Sequence, residues 1–429
     1  MRSLRAYGEP KPRKNILPQN AARIFKTSLL AQAHDCYPLE RFVRTHFRTQ
    51  RDSGTIMPTD DDYGLSPDKE KKVIPPPQVD YLPKKPSGYN PGIGLIGAGG
   101  ISEFHLKNYR ACGFEVAALT SRTRSKAEDK RDKFYPSAVV CEDHHELLAR
   151  DDVEVVDVTP HPEDRLPILE DSLRAGKHVL SQKPFVLDLE DGERLVALAE
   201  EKRLRIAVNQ NGRWAPHFSY LRAASASGLI GRVTSVDFSL QWDQTWIRGI
   251  EALESIRHLV LFDFAVHWFD ITSCLMAGQE PQRVYASAVG YSEQVYGPPA
   301  LGSVTVDYLE AQVRMAFNAH TKMGEEDVTT VVGTQGTLRT RGPGLNDQPK
   351  VEVHLEEGSV DVPLEGCWFE NGFEGAMGEL LCAIEEDREP SHSGRNNLGS
   401  LELCFAALQS AETGIPVKPG DVRALPSYN

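Results

Sequence analysis

Six residues at close spacing, Gly97-Ala98-Gly99-Gly100-Ile101-Ser102, follow directly on the apolar run Ile93-Gly94-Leu95-Ile96. The chemistry this pattern offers is phosphate binding. Gly97 permits a tight turn out of a strand, Gly99 lets backbone N–H groups approach a pyrophosphate, and the N-terminus of the helix beginning at Ser102 favours negative charge. Ser102 stands where a third glycine or alanine is usual, and its small size keeps strand and helix close. Gly97, Gly99, Gly100 and Ile101 are therefore the expected cofactor cradle. A second apolar strand, residues 114 to 119, runs into Thr120-Ser121-Arg122-Thr123-Arg124-Ser125-Lys126, where the ribose selector of a dinucleotide belongs. A carboxylate there would accept both ribose hydroxyls of NAD, and the segment has none. Ser121 and Arg122, with Arg124 or Lys126 beside them, suit the charge of a 2′-phosphate. NADP is thus the expected cofactor ahead of NAD, although a cation-rich helix start is also an ordinary solvated surface.

These residues require particular elements to hold them. Strand and helix patterns alternate from 92 to 211, with short Val/Ile runs at 93–96, 116–119, 139–140, 155–158 and 206–208. Unbroken apolar strands between helices predict a parallel sheet covered on both faces, an N-terminal Rossmann doubly wound domain over 91–211. After Arg213 longer strands with a period of two appear, such as 233–240, 283–291, 303–308, 311–317 and 328–332. They predict a C-terminal α+β domain, 212–429, with a large, mostly antiparallel open sheet, α/β overall. Two helical patterns, 373–386 and 398–411, are expected to pack back onto the body.

Composition narrows the function. The 429 residues are 40% hydrophobic and 25% charged, enough for two cores. A net charge of -13 argues against general binding to nucleic acid or to an anionic membrane. No apolar run is long enough for a membrane span. The seven cysteines, at 36, 112, 141, 274, 367, 382 and 404, are scattered without a C-x-x-C pair, which predicts reduced thiols, no metal site and a cytoplasmic setting. Residues 1–90 read as an extension. Positions 1–56 hold eleven Lys or Arg against four Asp or Glu, a composition that suits a transit segment or an upstream piece preceding a start at Met57. Prolines at 75, 76, 77, 83, 86 and 91 then predict an extended, largely irregular arm.

The segment Ala175-Gly-Lys-His-Val-Leu-Ser-Gln-Lys183-Pro-Phe185, preceded by Val158-Thr159-Pro160, resembles the A-G-K-H-V-x-x-E-K-P signature of the glucose-fructose oxidoreductase, inositol dehydrogenase and MocA (Gfo/Idh/MocA) family. Asp263-Phe-Ala-Val-His267-Trp-Phe-Asp270 is similar to that family's D-x-G-x-H-x-x-D segment, and with the glycine turn and the terminal Ser410 to Val417 the likeness spans about 92–418. The resemblance implies that Thr159 and Pro160 border the cofactor and that Lys183 lies beside both the nicotinamide and the substrate hydroxyl. Oxidising a secondary alcohol needs a base for the hydroxyl proton as the hydride leaves. His267 is the leading candidate, with Asp263 one helical turn earlier to orient the imidazole or hold a substrate hydroxyl. Two departures bear on this set. Gln182 replaces the usual glutamate and deprives Lys183 of a neighbouring anion, and Ala265 adds a methyl where glycine is usual.

Further candidates are open to a bland reading. Asn209, Gln210, Asn211 and Arg213 follow the last strand of the first sheet, at the edge where ligands bind, and are as readily ordinary loop polarity. Trp242, Trp246 and Arg248 suit stacking on a sugar or holding an acidic group, and core packing of the tryptophans is equally expected. Arg213, Trp242 and Asn211 are taken as the substrate contacts, Asp270 and His105 as structural. The resulting expectation is an NADP- or NAD-dependent oxidoreductase acting on a secondary alcohol of a sugar, polyol or glycoside, pairing into a homodimer or homotetramer. The alternatives are a redox-neutral, NAD-dependent glycosidase of the same family and a non-catalytic cofactor-sensing regulator.

Overall fold

The computed structural model describes residues 72–426; the basic stretch 1–56 and Cys36 lie outside the described residues. The alternating patterns of the first half fold as β1 (Ile93–Ile96), α1 (Ser102–Cys112), β2 (Val116–Thr120), α2 (Arg124–Phe134), β3 (Val139–Val140), α3 (His144–Leu148), β4 (Val155–Val158), α4 (Pro162–Arg174), β5 (His178–Ser181), α5 (Leu189–Glu201) and β6 (Ile206–Val208). The strands form a six-stranded sheet in the order β3-β2-β1-β4-β5-β6, with every pairing parallel. Its chain order reverses between β1 and β4, which opens a crevice at the carboxyl ends of those strands. β1, β4 and β6 are buried at every position. That explains why their sequences are continuous rather than alternating.

The second half contributes α6 (Pro216–Ala226), β7 (Val233–Gln241), α7 (Glu251–Glu254), α8 (Val266–Leu275), β8 (Pro281–Val289), β9 (Leu301–Tyr308), β10 (Gln312–Asn318), β11 (Glu326–Gly333), β12 (Gly336–Gly342), β13 (Lys350–Leu355), β14 (Gly358–Pro363), α9 (Trp368–Glu385) and α10 (Gly394–Thr413). Its eight strands run β14-β13-β12-β11-β7-β10-β9-β8, antiparallel except for the parallel pair β7 and β10. Val313, Met315 and Phe317 of β10 face the core while Gln312, Arg314 and Ala316 face solvent, so the period of two marks one open face.

The terminal helices dock the two sheets together. Met377, Leu380 and Leu381 of α9 pack with Leu95, Leu106 and Tyr109 of the first sheet's own layer, so α9 completes one of its faces. Leu401, Phe405 and Leu408 of α10 share a core with Val156, Leu195 and Phe238, which draws on both sheets. The proline-rich segment from 72 lies extended along its own chain: Val73 bridges Ser359, Ser219 Oγ donates to the Tyr81 carbonyl at 2.6 Å, and Glu385 accepts from the amides of Ser87 and Gly88 at 2.8 and 2.7 Å. Among the described residues the cysteines are unpaired, and no helix is long and apolar enough to cross a membrane.

One residue expected at the substrate belongs to this docking. Arg213 is 1% exposed, and its guanidinium donates to both carboxylate oxygens of Asp270 at 2.6 Å, to the Ser391 carbonyl at 2.5 Å and to Asn396 Oδ1 at 2.6 Å. Those donors are committed to α8 and to the start of α10, so Arg213 is an interior strut rather than a substrate contact. Asp270→Asn leaves that cation without its counter-charge in the interior. Urea unfolding should register a loss of about 3–5 kcal/mol, and a change below about 1 kcal/mol would contradict the assignment.

Candidate functional site

The glycine turn is built as a cradle. Gly97 has φ +103°, and a Cβ on it would lie 2.6 Å from Thr159 Oγ1, so both backbone and space require glycine. Thr159 Oγ1 donates to the Gly97 carbonyl at 3.0 Å, joining the carboxyl ends of β1 and β4. A Cβ on Gly99 or Gly100 would meet nothing within 4 Å among the described residues, which leaves the backbone there open to a close-approaching group. Ser102, fully buried, donates its hydroxyl to the Gly99 carbonyl at 2.7 Å, closing the turn where glycine or alanine is usual. Among the described residues no side chain caps the N-terminus of α1. The turn opens on a cleft of about 540 Å³ lined by Gly97, Gly99, Gly100, Ile101, Ser121, Arg122, Thr159 and Pro160. The residues expected at the cofactor, Lys183 apart, thus share one cleft. Backbone freedom, an uncapped helix end and open space above the glycines fit a dinucleotide pyrophosphate. Arg122, its side chain 88% exposed on the rim, lies 3.3 Å from Asp164.

Lys183 leaves the end of β5, the strand beside β4, so it stands one strand over from Thr159 and Pro160. Its Nζ donates to the Asp263 carbonyl at 2.9 Å and to Asp263 Oδ1 at 3.1 Å. Asp263 sits in a π-helical turn, Val260–Phe264, that feeds directly into α8. Asp263 is expected to orient the imidazole or to hold a substrate hydroxyl; in the structure its Oδ1 accepts from the amine of Lys183. The replacement of glutamate by Gln182 therefore does not leave Lys183 without an anion. Gln182 joins a hydrogen-bond network: Asn209 Nδ2 donates to Gln182 Oε1 at 2.8 Å and lies 3.1 Å from His105 Nε2. His105 Nδ1 is 2.6 Å from Asp157 Oδ2, which also accepts from the Tyr109 hydroxyl at 2.8 Å. Asn209 and His105 thus brace the loop of Lys183 from within the first domain.

His267 lies in the first turn of α8, close enough to Lys183 for the amine to act on its titration. Burial, and then the positive charge of Lys183, hold the imidazole well below its ordinary 6.5, so it is neutral at neutral pH. Its Nδ1 is buried without a hydrogen-bond partner among the described residues, and a Cβ on Gly212 would come within 3.5 Å of that atom. The ring meets Trp368 edge to face at 5.6 Å. Asn211, expected at the substrate, accepts from Trp368 Nε1 at 3.0 Å and holds that indole against the histidine. Trp242, also expected there, is 5% exposed and enclosed by Phe264, Trp268 and Phe317. It is core: just after β7, its ring packs among these aromatic side chains. Trp246 is the exposed one, at 57%, with its indole N–H on Gln244. Trp368 and Arg165 escaped the sequence reading. Trp368 begins a helix that returns 101 residues after His267, and no local spacing links the two.

Comparison with known proteins bears on this arrangement. A family model described as an oxidoreductase family, NAD-binding Rossmann fold, matches residues 92–210, and one described as the GFO/IDH/MocA C-terminal domain matches residues 218–339. An inositol 2-dehydrogenase of Gluconacetobacter diazotrophicus is 31% identical over 348 residues, covering 79% of this chain and 98% of the relative. A 1,5-anhydro-D-fructose reductase of Ensifer adhaerens is 29% identical over 334 residues, covering 75% and 96%. The crystal structure of an oxidoreductase from Agrobacterium radiobacter in complex with NAD+, L-tartaric acid and magnesium superposes with a TM-score of 0.68 at 20% identity, covering 77% of this chain and 99% of that one. At that identity the likeness shows the fold.

The depressed imidazole is directly measurable. Titration of the His267 ring by NMR should give a midpoint below 6.5, and Lys183→Met should move it upward by removing the neighbouring cation. A midpoint at or above 6.5 in the unaltered protein would contradict the electrostatics described here.

Proposed function

Because the chain belongs to the Gfo/Idh/MocA oxidoreductase family, we propose that it is an NADP(H)-dependent oxidoreductase of a secondary alcohol on a sugar, polyol or glycoside. What supports the reading is the Lys183–Asp263 pair acting on His267, with Lys183 following the strand beside the one that carries the cleft-lining Thr159 and Pro160. A nicotinamide held at that edge supplies the hydride acceptor or donor. The protein's own groups handle the proton. A neutral His267 has a lone pair for the hydroxyl proton that must leave when the carbon is oxidised, and the amine of Lys183 donates a hydrogen bond to the same oxygen. Asp263 fixes the amine by accepting from it and keeps that cation paired. Trp368 excludes water from one side of the imidazole. The sugar-acting names of the relatives support the substrate class.

NADP(H) is preferred because β2 is followed by Ser121 and Arg122 on the cleft rim, with no carboxylate at the ribose-selecting position. Arg122→Ala should weaken NADP(H) by about 1–3 kcal/mol in equilibrium binding while changing NAD(H) much less. Equal losses for both cofactors would overturn the selector.

Turnover is tested with a panel of polyols, sugars and glycosides, following net reduction of added cofactor. Lys183→Ala and His267→Ala should each lower kcat by at least about 10²-fold while leaving cofactor affinity largely intact. A variant that keeps full activity removes that residue from the mechanism. Product formation without net cofactor change would favour the redox-neutral route, and binding of cofactor with no conversion of any panel member would favour a regulator.

A further inference from the structure

Arg165 looks in the sequence like a surface residue, set in the acidic first turns of α4 after Glu163 and Asp164. It is instead 1% exposed. Among the described residues no carboxylate is paired with it, and its donors turn to backbone carbonyls. Nε and Nη2 donate to the Pro160 carbonyl at 3.0 and 2.9 Å, Nη1 donates to the carbonyls of Gln182 and Pro184, and Nη2 reaches the Lys183 carbonyl at 3.4 Å. One guanidinium therefore gathers three consecutive carbonyls of the loop that carries Lys183, together with the carbonyl of Pro160, which lines the cofactor cleft.

We propose that Arg165 is the positioning residue of this site, fixing the backbone of Lys183 and locking it to the cofactor-lining Pro160 loop; the catalytic sense of this rests on the function proposed above. Carbonyl dipoles that converge on one point repel each other unless a cation lies among them, and a buried cation without a carboxylate is costly unless dipoles solvate it. Each arrangement explains the other. The geometry also needs arginine in particular, because its five donors sit in a planar fork, whereas lysine offers a point charge and glutamine a single amide. Burial pulls the guanidinium down to about 9, which still leaves it charged at neutral pH. With the backbone fixed, the Lys183 side chain has a single anchored reach to Asp263, on a segment 80 residues away in the sequence. A displacement of about 1 Å at a reacting group costs on the order of 10²-fold in rate. Such a clamp therefore acts on turnover without touching substrate.

The experiment uses the full chain carrying Arg165→Gln or Arg165→Lys. The first readout is the rate of reductive methylation of each lysine, measured by peptide mass spectrometry without cofactor or substrate, so it holds even if no alcohol is ever turned over. In Arg165→Gln, Lys183 should be modified about tenfold faster while the other lysines keep their rates, because its largely buried side chain loses its anchored backbone. Where substrate turnover exists, kcat should fall by about 10- to 100-fold with the cofactor KM changed by less than about threefold, and Arg165→Lys should recover part of that loss. Should Arg165→Gln fail to fold, Arg165→Lys carries the test alone, with Lys183 selectively faster than the other lysines. Unchanged Lys183 labelling in a folded variant, or all lysines accelerated alike in both variants, overturns the proposal. Absence of turnover in the unaltered protein counts against the proposed function and leaves the labelling result to decide Arg165.

Discussion

The ion pair between Lys183 and Asp263 is the contact on which the rest of the site depends. Its members come from the end of a parallel strand in one half and from a π-helical turn in the other, and their side chains are 16% and 22% exposed. In that setting a salt bridge adds little net stability, since desolvation offsets most of the Coulomb attraction, and its value lies in fixing register. It forms only when the two sheets are docked at the right separation. The docking is done elsewhere, by apolar α9 and α10 and by the buried Arg213–Asp270 pair. The chemical groups are thus assembled by packing that takes no part in the chemistry.

Electrostatics then divides the labour. The amine of Lys183 has its anion in Asp263 and stands near an imidazole that burial already keeps neutral. A cation beside a neutral base is a stable arrangement at neutral pH, because the positive charge of Lys183 opposes protonation of His267. Gln182 contributes by being uncharged. An acid at that position would put a second carboxylate into the buried network of Asn209 and His105 that already holds Asp157. Its amide accepts from Asn209 instead, and the loop keeps its brace without an added charge.

The local features were legible in the sequence. Continuous apolar strands, the glycine turn, the missing carboxylate after β2 and the Lys183 and His267 segments each reside in a dozen residues or fewer, where periodicity and turn chemistry carry information. What escaped depends on long-range packing. Arg213 and Trp242 have side chains suited to ligands, and only the tertiary structure shows that both face inward, one onto Asp270 and the other onto Trp268. Arg165 escaped for the opposite reason: an arginine in an acidic helix start reads as solvated, and nothing nearby in sequence announces the carbonyls of residues 182–184. Trp368 lies on a helix that crosses back from the second sheet's strands, so its contact with His267 has no sequence period.

A crystal structure with NADP(H) bound tests the central claim most directly. The account requires the diphosphate over Gly99 and Gly100 and the nicotinamide C4 facing a space within ~3.5 Å of both Lys183 Nζ and the His267 ring, where one substrate carbon and its oxygen fit between them. A ring lodged elsewhere, or an amine and imidazole opening into separate cavities with the cofactor in place, would contradict it.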